Sequence, residues 1–139
     1  MGQAIGGTLD RNDRYYLARC GPDGWGRQMV AYCEPGDEGS WLLAFEPDGT
    51  LVGYVAVGGF EAGVATIAHV AVVPERRGRG YINDLLMAAN AAARQRGDLS
   101  MLSDVDMLNA TMLAAMERAG HLRGIRPWHV WAYRRAVAS

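Results

Sequence analysis

Val70-Ala71-Val72-Val73-Pro74-Glu75-Arg76-Arg77-Gly78-Arg79-Gly80-Tyr81-Ile82-Asn83-Asp84-Leu85-Leu86 reads as three pieces in series: the end of an apolar strand, a tight arginine/glycine loop and the start of a helix. The strand is the run Val64–Val73, largely apolar and β-branched, which suits a central strand covered on both faces. Pro74 ends it. Gly78 and Gly80 let a backbone approach a ligand with no Cβ in the way. Successive N–H groups in such a loop, with the positive end of a helix dipole, form a site for a pyrophosphate. Arg76, Arg77 and Arg79 add charged donors suited to phosphate. Other phosphate loops fit less well. A Walker loop needs a Gly-Lys-Ser/Thr ending, which is absent, and Asn83 stands where a dinucleotide fingerprint needs a third small residue.

Downstream, a helix is expected from about Gly80 to Arg96, with Ile82, Leu85, Leu86, Ala89 and Ala93 as one apolar stripe for a sheet and Gly97 as its terminator. Leu99–Ser103 reads as a short strand, Asn109 as an N-cap, and Met112, Leu113, Met116 and Ala119 as the apolar face of a second helix closed by Gly120. Two further strands are expected near His121–Arg123 and Trp128–Arg135. Upstream, Trp41–Glu46 and Leu51–Gly58 form a hairpin around Pro47-Asp48-Gly49-Thr50, with a break at Gly58-Gly59. Residues 1–40 carry turn signals at Gly21-Pro22-Asp23-Gly24 and Glu34-Pro35-Gly36-Asp37, and short helical pieces at Arg11–Arg19 and Trp25–Cys33. The order β-β-β-α-β-α-β-β describes an α/β (α+β) domain with a mixed, mostly antiparallel central sheet flanked by helices.

Half of the 139 residues are hydrophobic, a fifth are charged, and the net charge is −1. That suits one folded domain and argues against a general nucleic-acid binder, which carries a basic face. No apolar run reaches membrane-spanning length, and residues 1–10 do not read as a signal peptide, so a cytoplasmic protein is expected. Cys20 and Cys33 lack metal-site spacing and are too few for a disulfide framework. No metal is expected.

The quoted segment resembles motif A of the GNAT acetyltransferases, R/Q-x-x-G-x-G/A, here Arg77-Gly78-Arg79-Gly80-Tyr81-Ile82. About 30 residues on, Asn109-Ala110-Thr111-Met112-Leu113-Ala114-Ala115-Met116-Glu117-Arg118-Ala119-Gly120-His121 resembles motif B, an Asn-led helix ending in Gly and an aromatic. The resemblance covers roughly Trp41 to Arg135. It implies transfer of an acyl group, usually acetyl, from coenzyme A to an amine. It also implies that backbone groups of Val70 and Val72 pair with the pantetheine arm, Val72 N–H polarising the thioester carbonyl. The backbone from Arg77 through Gly78, Arg79, Gly80, Tyr81 and Ile82 to Asn83 would hold the pyrophosphate, and the Asn109 side chain would touch the cofactor, acetyl-CoA. Two positions depart from the pattern. Ile82 replaces a small residue and would crowd the phosphates. Met116 stands where many members keep a tyrosine that protonates the departing thiolate, leaving water, Tyr81 or Tyr133 as donors.

The base is open between three residues. Asp104 and Asp106, in Ser103-Asp104-Val105-Asp106, would point the same way in extended chain and could accept the amine's proton or bind a cationic acceptor. The competing reading is an Asx turn leading into the helix. His69 has a pKa range suited to base work, and alternation turns its side chain away from those of Val70 and Val72. His121 reads as structural, and Trp128, His129, Trp131 and Tyr133 as core or sheet surface. The family's usual strand and two helices before the first hairpin exceed what residues 1–40 can supply. The domain is therefore drawn as 41–139, with 1–40 open between a compact variant, a truncated substrate-side element and the C-terminal half of a longer or tandem protein, the missing wall coming from a homodimer partner or a missing N-terminal domain. The alternative to an enzyme is a non-catalytic acyl-CoA-binding or supporting half of a larger or tandem protein.

Overall fold

A computed structural model describes residues 2–33 and 40–124 of the chain. A 3₁₀ turn, Gly2–Ile5, leads into α1, Arg11–Cys33. There follow β1 (Ser40–Phe45), β2 (Leu51–Glu61), β3 (Val64–Val72), a 3₁₀ turn at Pro74–Arg76, α2 (Tyr81–Arg96), β4 (Ser100–Leu102) and α3 (Ala110–Arg118). The four strands make one sheet in the order β1-β2-β3-β4. β1–β2 and β2–β3 are antiparallel, and β3–β4 is parallel. This is the mixed, mostly antiparallel α/β architecture read from the sequence.

The apolar stripe of α2 fixes one layer. Leu85, Leu86, Ala89 and Ala93 are buried against Val55, Val57, Ala65, Ile67 and Val72 of β2 and β3, joined by Ala115 and Met116 of α3. Each fully buried leucine in such a layer contributes about 1.5–3 kcal/mol. A smaller cluster on the opposite face holds Ala4, Tyr54, Ala71 and Val73. The central strand is therefore covered on both sides, as its near-continuous apolar sequence requires.

A bulge sets which β3 side chains face which layer. His69 pairs with Ala56 and Ile67 with Val57, so Ala68 has no partner. Ala65 and Ile67 before it, and Val70 and Val72 after it, all meet the α2 layer, whereas Ala71 meets the other cluster. A strict period of two would have put 65, 67, 69 and 71 on one face; the extra residue switches the phase.

Two sequence expectations change and one holds. β2 runs through the anticipated break, because Gly58 and Gly59 still pair with Thr66 and Ala65. The two helical pieces expected before the hairpin are present as the two halves of α1, separated by non-helical Gly21 (φ 68°, ψ 175°), with Pro22 opening the second half; proline suits a first helical position. Residues 121–124 form no strand. His121 N–H instead donates to the Met116 carbonyl at 3.0 Å and Gly120 N–H to that of Glu117, closing α3 with a Schellman-type cap. The turn at 34–37, Tyr133 and the expected strand at Trp128–Arg135 lie outside the described residues. Among the described residues no helix is long and apolar enough to cross a membrane.

Candidate active site

β3 and β4 pair only from Val64–Thr66 to Ser100–Leu102. Beyond Thr66 the two parallel strands part, and the outer edge of β3 is left open among the described residues. Val73 N–H donates to the Val52 carbonyl at 2.9 Å. Because successive backbone groups alternate in direction along a strand, the N–H and C=O of Val72 and Val70 turn to the open edge. Arg77 Nε reaches that side and donates to the Val72 carbonyl at 3.0 Å.

The loop after β3 ends at the start of α2. Gly80, the N-cap, has φ 87°, and Gly78 has φ 73°, a left-handed region costly for other L-residues. A Cβ on Gly78 would project into open space. Asn83 N–H turns back to the Gly80 carbonyl at 2.9 Å. The N–H groups of residues 78–82 have no acceptor among the described residues. Five donors therefore gather at the positive end of a helix dipole.

The arginines of this loop are unevenly engaged. Arg77 is a strut: besides Val72 it donates to the carbonyls of Gly7 (3.0 Å) and Ala4 (2.9 Å). Arg76 pairs with Glu46 at 3.0 Å. Arg79 makes no hydrogen bond or ion pair with a described residue. Of the three arginines expected at phosphate, Arg77 is thus occupied elsewhere, since each of its three nitrogens already meets a backbone carbonyl. Tyr81 Oη donates to Glu46 Oε1 at 2.9 Å. That hydrogen bond raises its pKa, and the bond ties up the proton that Tyr81 would offer a thiolate. Ile82 packs against the α2-side core and is also on the cavity wall.

A cavity of about 250 Å³ joins these parts. Of the sequence-derived candidates, His69, Val70, Val72, Arg77, Gly78, Gly80, Tyr81, Ile82, Asp104 and Asn109 line it, while Arg79, Asn83 and Asp106 do not. Asn109 caps α3, its side chain accepting from Met112 N–H at 3.2 Å. Asn83 Nδ2 donates to the Gly80 carbonyl, and its Oδ1 accepts from Arg118. Met116 is on the wall and 7% exposed.

The two aspartates after β4 do not act as a pair. Residues 103–106 are not extended strand, and the side chains diverge. Asp104 is exposed on the cavity, whereas Asp106 meets Arg11 Nε at 3.0 Å and accepts from the N–H of Leu108 and Arg11. Burial pushes its pKa up, but the N–H donors of Leu108 and Arg11 and the Arg11 guanidinium prevail and hold it at about 2. The Asx-turn reading of Asp106 is the one the structure displays.

One acidic residue escaped the sequence reading. Asp13, in the first turn of α1, is 8% exposed and lines the same cavity. Its Oδ2 lies 3.2 Å from His69 Nε2, and His69 Nδ1 lies 2.9 Å from Tyr54 Oη. Asp13 looked like an ordinary helix-start aspartate. Only the apposition of α1 to β3, 56 residues apart, gives it a partner. The N-terminal segment is also a wall, through Ala4, Ile5, Thr8 and Asp10.

A family model described as the acetyltransferase (GNAT) family matches residues 11–121. No curated protein matches the chain in sequence. Among solved structures, the chain resembles nourseothricin acetyltransferase at 30% identity and TM-score 0.54, over 60% of this chain and 49% of that one, so it spans about half of that relative. It resembles the aminoglycoside acetyltransferase AAC(6')-Iy, solved with a bisubstrate analogue of coenzyme A, at 20% identity and TM-score 0.59, over 96% and 84% of the two chains. AAC(6')-Ig of Acinetobacter haemolyticus aligns at 17% identity and TM-score 0.55, over 91% and 83%.

Proposed function

Because the chain belongs to the GNAT acetyltransferase family, we propose that it transfers an acetyl group from acetyl-CoA to a small-molecule amine by direct attack. The observation that carries this reading is the meeting of two backbone surfaces with free groups on one cavity: the N–H groups of the 78–82 loop, whose residues 78, 80, 81 and 82 line it, and the open edge of β3 at Val70 and the Val72 N–H. A pyrophosphate suits the first. An extended amide-bearing arm such as pantetheine suits the second, which it would extend as an added strand. Val72 N–H is the group we assign to the thioester carbonyl, where a fixed donor favours developing negative charge. Asn109, on the same wall, is assigned to the cofactor arm.

The acceptor would enter at the other end, between the N-terminal segment and Asp104. Asp10, Asp13 and Asp104 all line that end, which suits a cationic amine. Nourseothricin and aminoglycosides, for which the similar solved acetyltransferases are named, are the first compounds to screen. Asp104 is assigned to binding the ammonium group, and Asp106, tied to Arg11, is left out of the chemistry. A second reading, an acyl-CoA-binding domain without turnover, draws support from buried, apolar Met116 where the family pattern has a proton donor.

The test is calorimetric titration with acetyl-CoA beside Gly80→Glu, followed by an amine screen that detects thiol release. Saturable binding lost in Gly80→Glu, with release of thiol by at least one amine, supports transfer. Binding without turnover across a broad amine panel favours the second reading, and a folded chain that does not bind acetyl-CoA refutes both.

A further inference from the structure

Asp13 is the one charged residue among the described residues that is buried and also lines the cavity. Asp10 caps α1 through Oδ1, which accepts from the N–H of Asn12 (2.8 Å) and Asp13 (3.1 Å), and so sets the first turn. From that turn Asp13 Oδ2 receives the Thr8 hydroxyl at 3.5 Å and His69 Nε2 at 3.2 Å. Oδ1 receives no donor from the described residues. The remaining 11% exposure of the side chain gives onto the cavity.

His69 is fixed beside it. Its ring stacks on Tyr54 at 5.7 Å between centroids and meets Trp25 edge-on at 5.1 Å. With Tyr54 O–H donating to Nδ1 and Nε2–H donating to Asp13, both ring nitrogens are satisfied and no lone pair is left for a substrate. His69, which the sequence offers as a base, thus has both ring nitrogens engaged, and the carboxylate beside it has a free oxygen.

Building on the acyltransferase reading above, we propose that Asp13 is the catalytic carboxylate that meets the acceptor amine. His69 and Thr8 are positioning residues that hold Oδ2 and so aim Oδ1 at the cavity. An acceptor that arrives as ammonium first gives one proton to solvent. The neutral nitrogen attacks the thioester carbonyl: the C–N bond forms, the C–S bond breaks, and the electron pair leaves on sulfur. Attack makes the nitrogen far more acidic. Its surplus proton passes to Asp13 Oδ1 and on through water to the thiolate, so atoms and charge balance.

The other charged or titratable groups on the cavity are Asp10 of α1, His69 of β3, Asp104 after β4, and Arg76, Arg77 and Tyr81 at the loop end, with the Arg11–Asp106 pair beside the acceptor end. Asp10 and Asp104 repeat the negative charge but not the fixed geometry. Asp10 Oδ1 is held by backbone N–H groups of α1, and Asp104 is exposed and accepts no hydrogen bond from a described residue.

The experiment compares Asp13→Asn with the parent in acetyl-CoA affinity, spermidine affinity in the presence of CoA, and turnover against pH with an amine that the parent acetylates. Asp13→Asn is expected to bind acetyl-CoA within about twofold of the parent. It should bind spermidine about tenfold more weakly and turn over on the order of 10²-fold more slowly, the usual scale for a lost general base. The deficit should narrow as pH rises and hydroxide takes the proton. His69→Gln, whose amide can still donate to Oδ2, should keep most of the turnover that His69→Ala loses. Asp13→Glu, which keeps the charge but displaces it by a methylene, covers the case in which the amide does not fold, and should lose about tenfold. Parent-like turnover in Asp13→Asn, a deficit that stays constant across pH, or joint loss of acetyl-CoA binding would overturn the assignment. A parent that binds acetyl-CoA but acetylates nothing instead removes the acyltransferase reading. The spermidine arm then decides for Asp13: unchanged affinity in Asp13→Asn overturns its contact with amines.

Discussion

Arg77 reaches back 70 residues to Gly7, its Nη1 donating to the Gly7 carbonyl at 3.0 Å. The same guanidinium holds Ala4 and Val72, so the loop before α2, the end of β3 and the N-terminal turn share one fastener. Ala4 and Ile5 are 1% and 2% exposed, and the latch keeps them seated.

Arg77→Ala removes three hydrogen bonds from a charged donor to backbone carbonyls. It is expected to cost about 2–3 kcal/mol in a denaturant unfolding experiment. Proteolysis within residues 2–10 should accelerate with it. Arg77→Lys, a point donor in place of a planar fork, should recover only part of both.

Asp106 gives a pH signature. Its pKa of about 2 in the folded protein lies below the unfolded value, so its contribution to stability is fully present above about pH 4. That contribution fades as pH falls toward 2. The stability difference between the parent and Asp106→Asn should therefore be constant near neutrality and close on acidification, measured by unfolding at a series of pH values. Arg11→Ala should remove part of the same difference.

Gly53 lies where the β3 backbone leaves no room for a side chain on β2. A Cβ there would stand 2.3 Å from the Ala71 carbonyl oxygen and 3.0 Å from Val72 Cα, both backbone atoms. Gly53→Ala must push the strands apart and should cost about 3 kcal/mol or more, the upper range for overpacking. Because Val72 carries the open edge, acetyl-CoA affinity should fall in parallel, read by titration of the same variant.

Met116→Tyr introduces an O–H donor on the cavity wall. The larger ring should cost about 1–2 kcal/mol of stability. If protonation of the thiolate limits turnover, kcat should rise about tenfold with little change in KM for acetyl-CoA. An unchanged kcat in steady-state kinetics would show that water already protonates the thiolate fast enough.

The elements that were legible in the sequence are those whose signal is local. Leu85, Leu86, Ala89 and Ala93 declare the buried face of α2 through spacing alone, and all four are buried. Asn109 and Gly97 cap the helices where their types suggest. The break expected at Gly58-Gly59 misled because cross-strand pairing with Thr66 and Ala65 outweighs glycine's weak preference against strands. The strand expected at His121–Arg123 failed because helix closure takes the His121 N–H.

From its residues alone, the chain determined the order of elements from β1 to α3, the loop at 78–82 and the membership those motifs signal. Each depends on neighbours within a few turns, where periodicity and backbone preference act directly. Tertiary structure decided the rest: that Arg77 is a strut, that Asp104 and Asp106 part company, and that Asp13 meets His69. Those contacts join residues 73, 95 and 56 positions apart. Periodicity states which face of an element is apolar, but a polar side chain finds its partner only when packing brings two distant elements together.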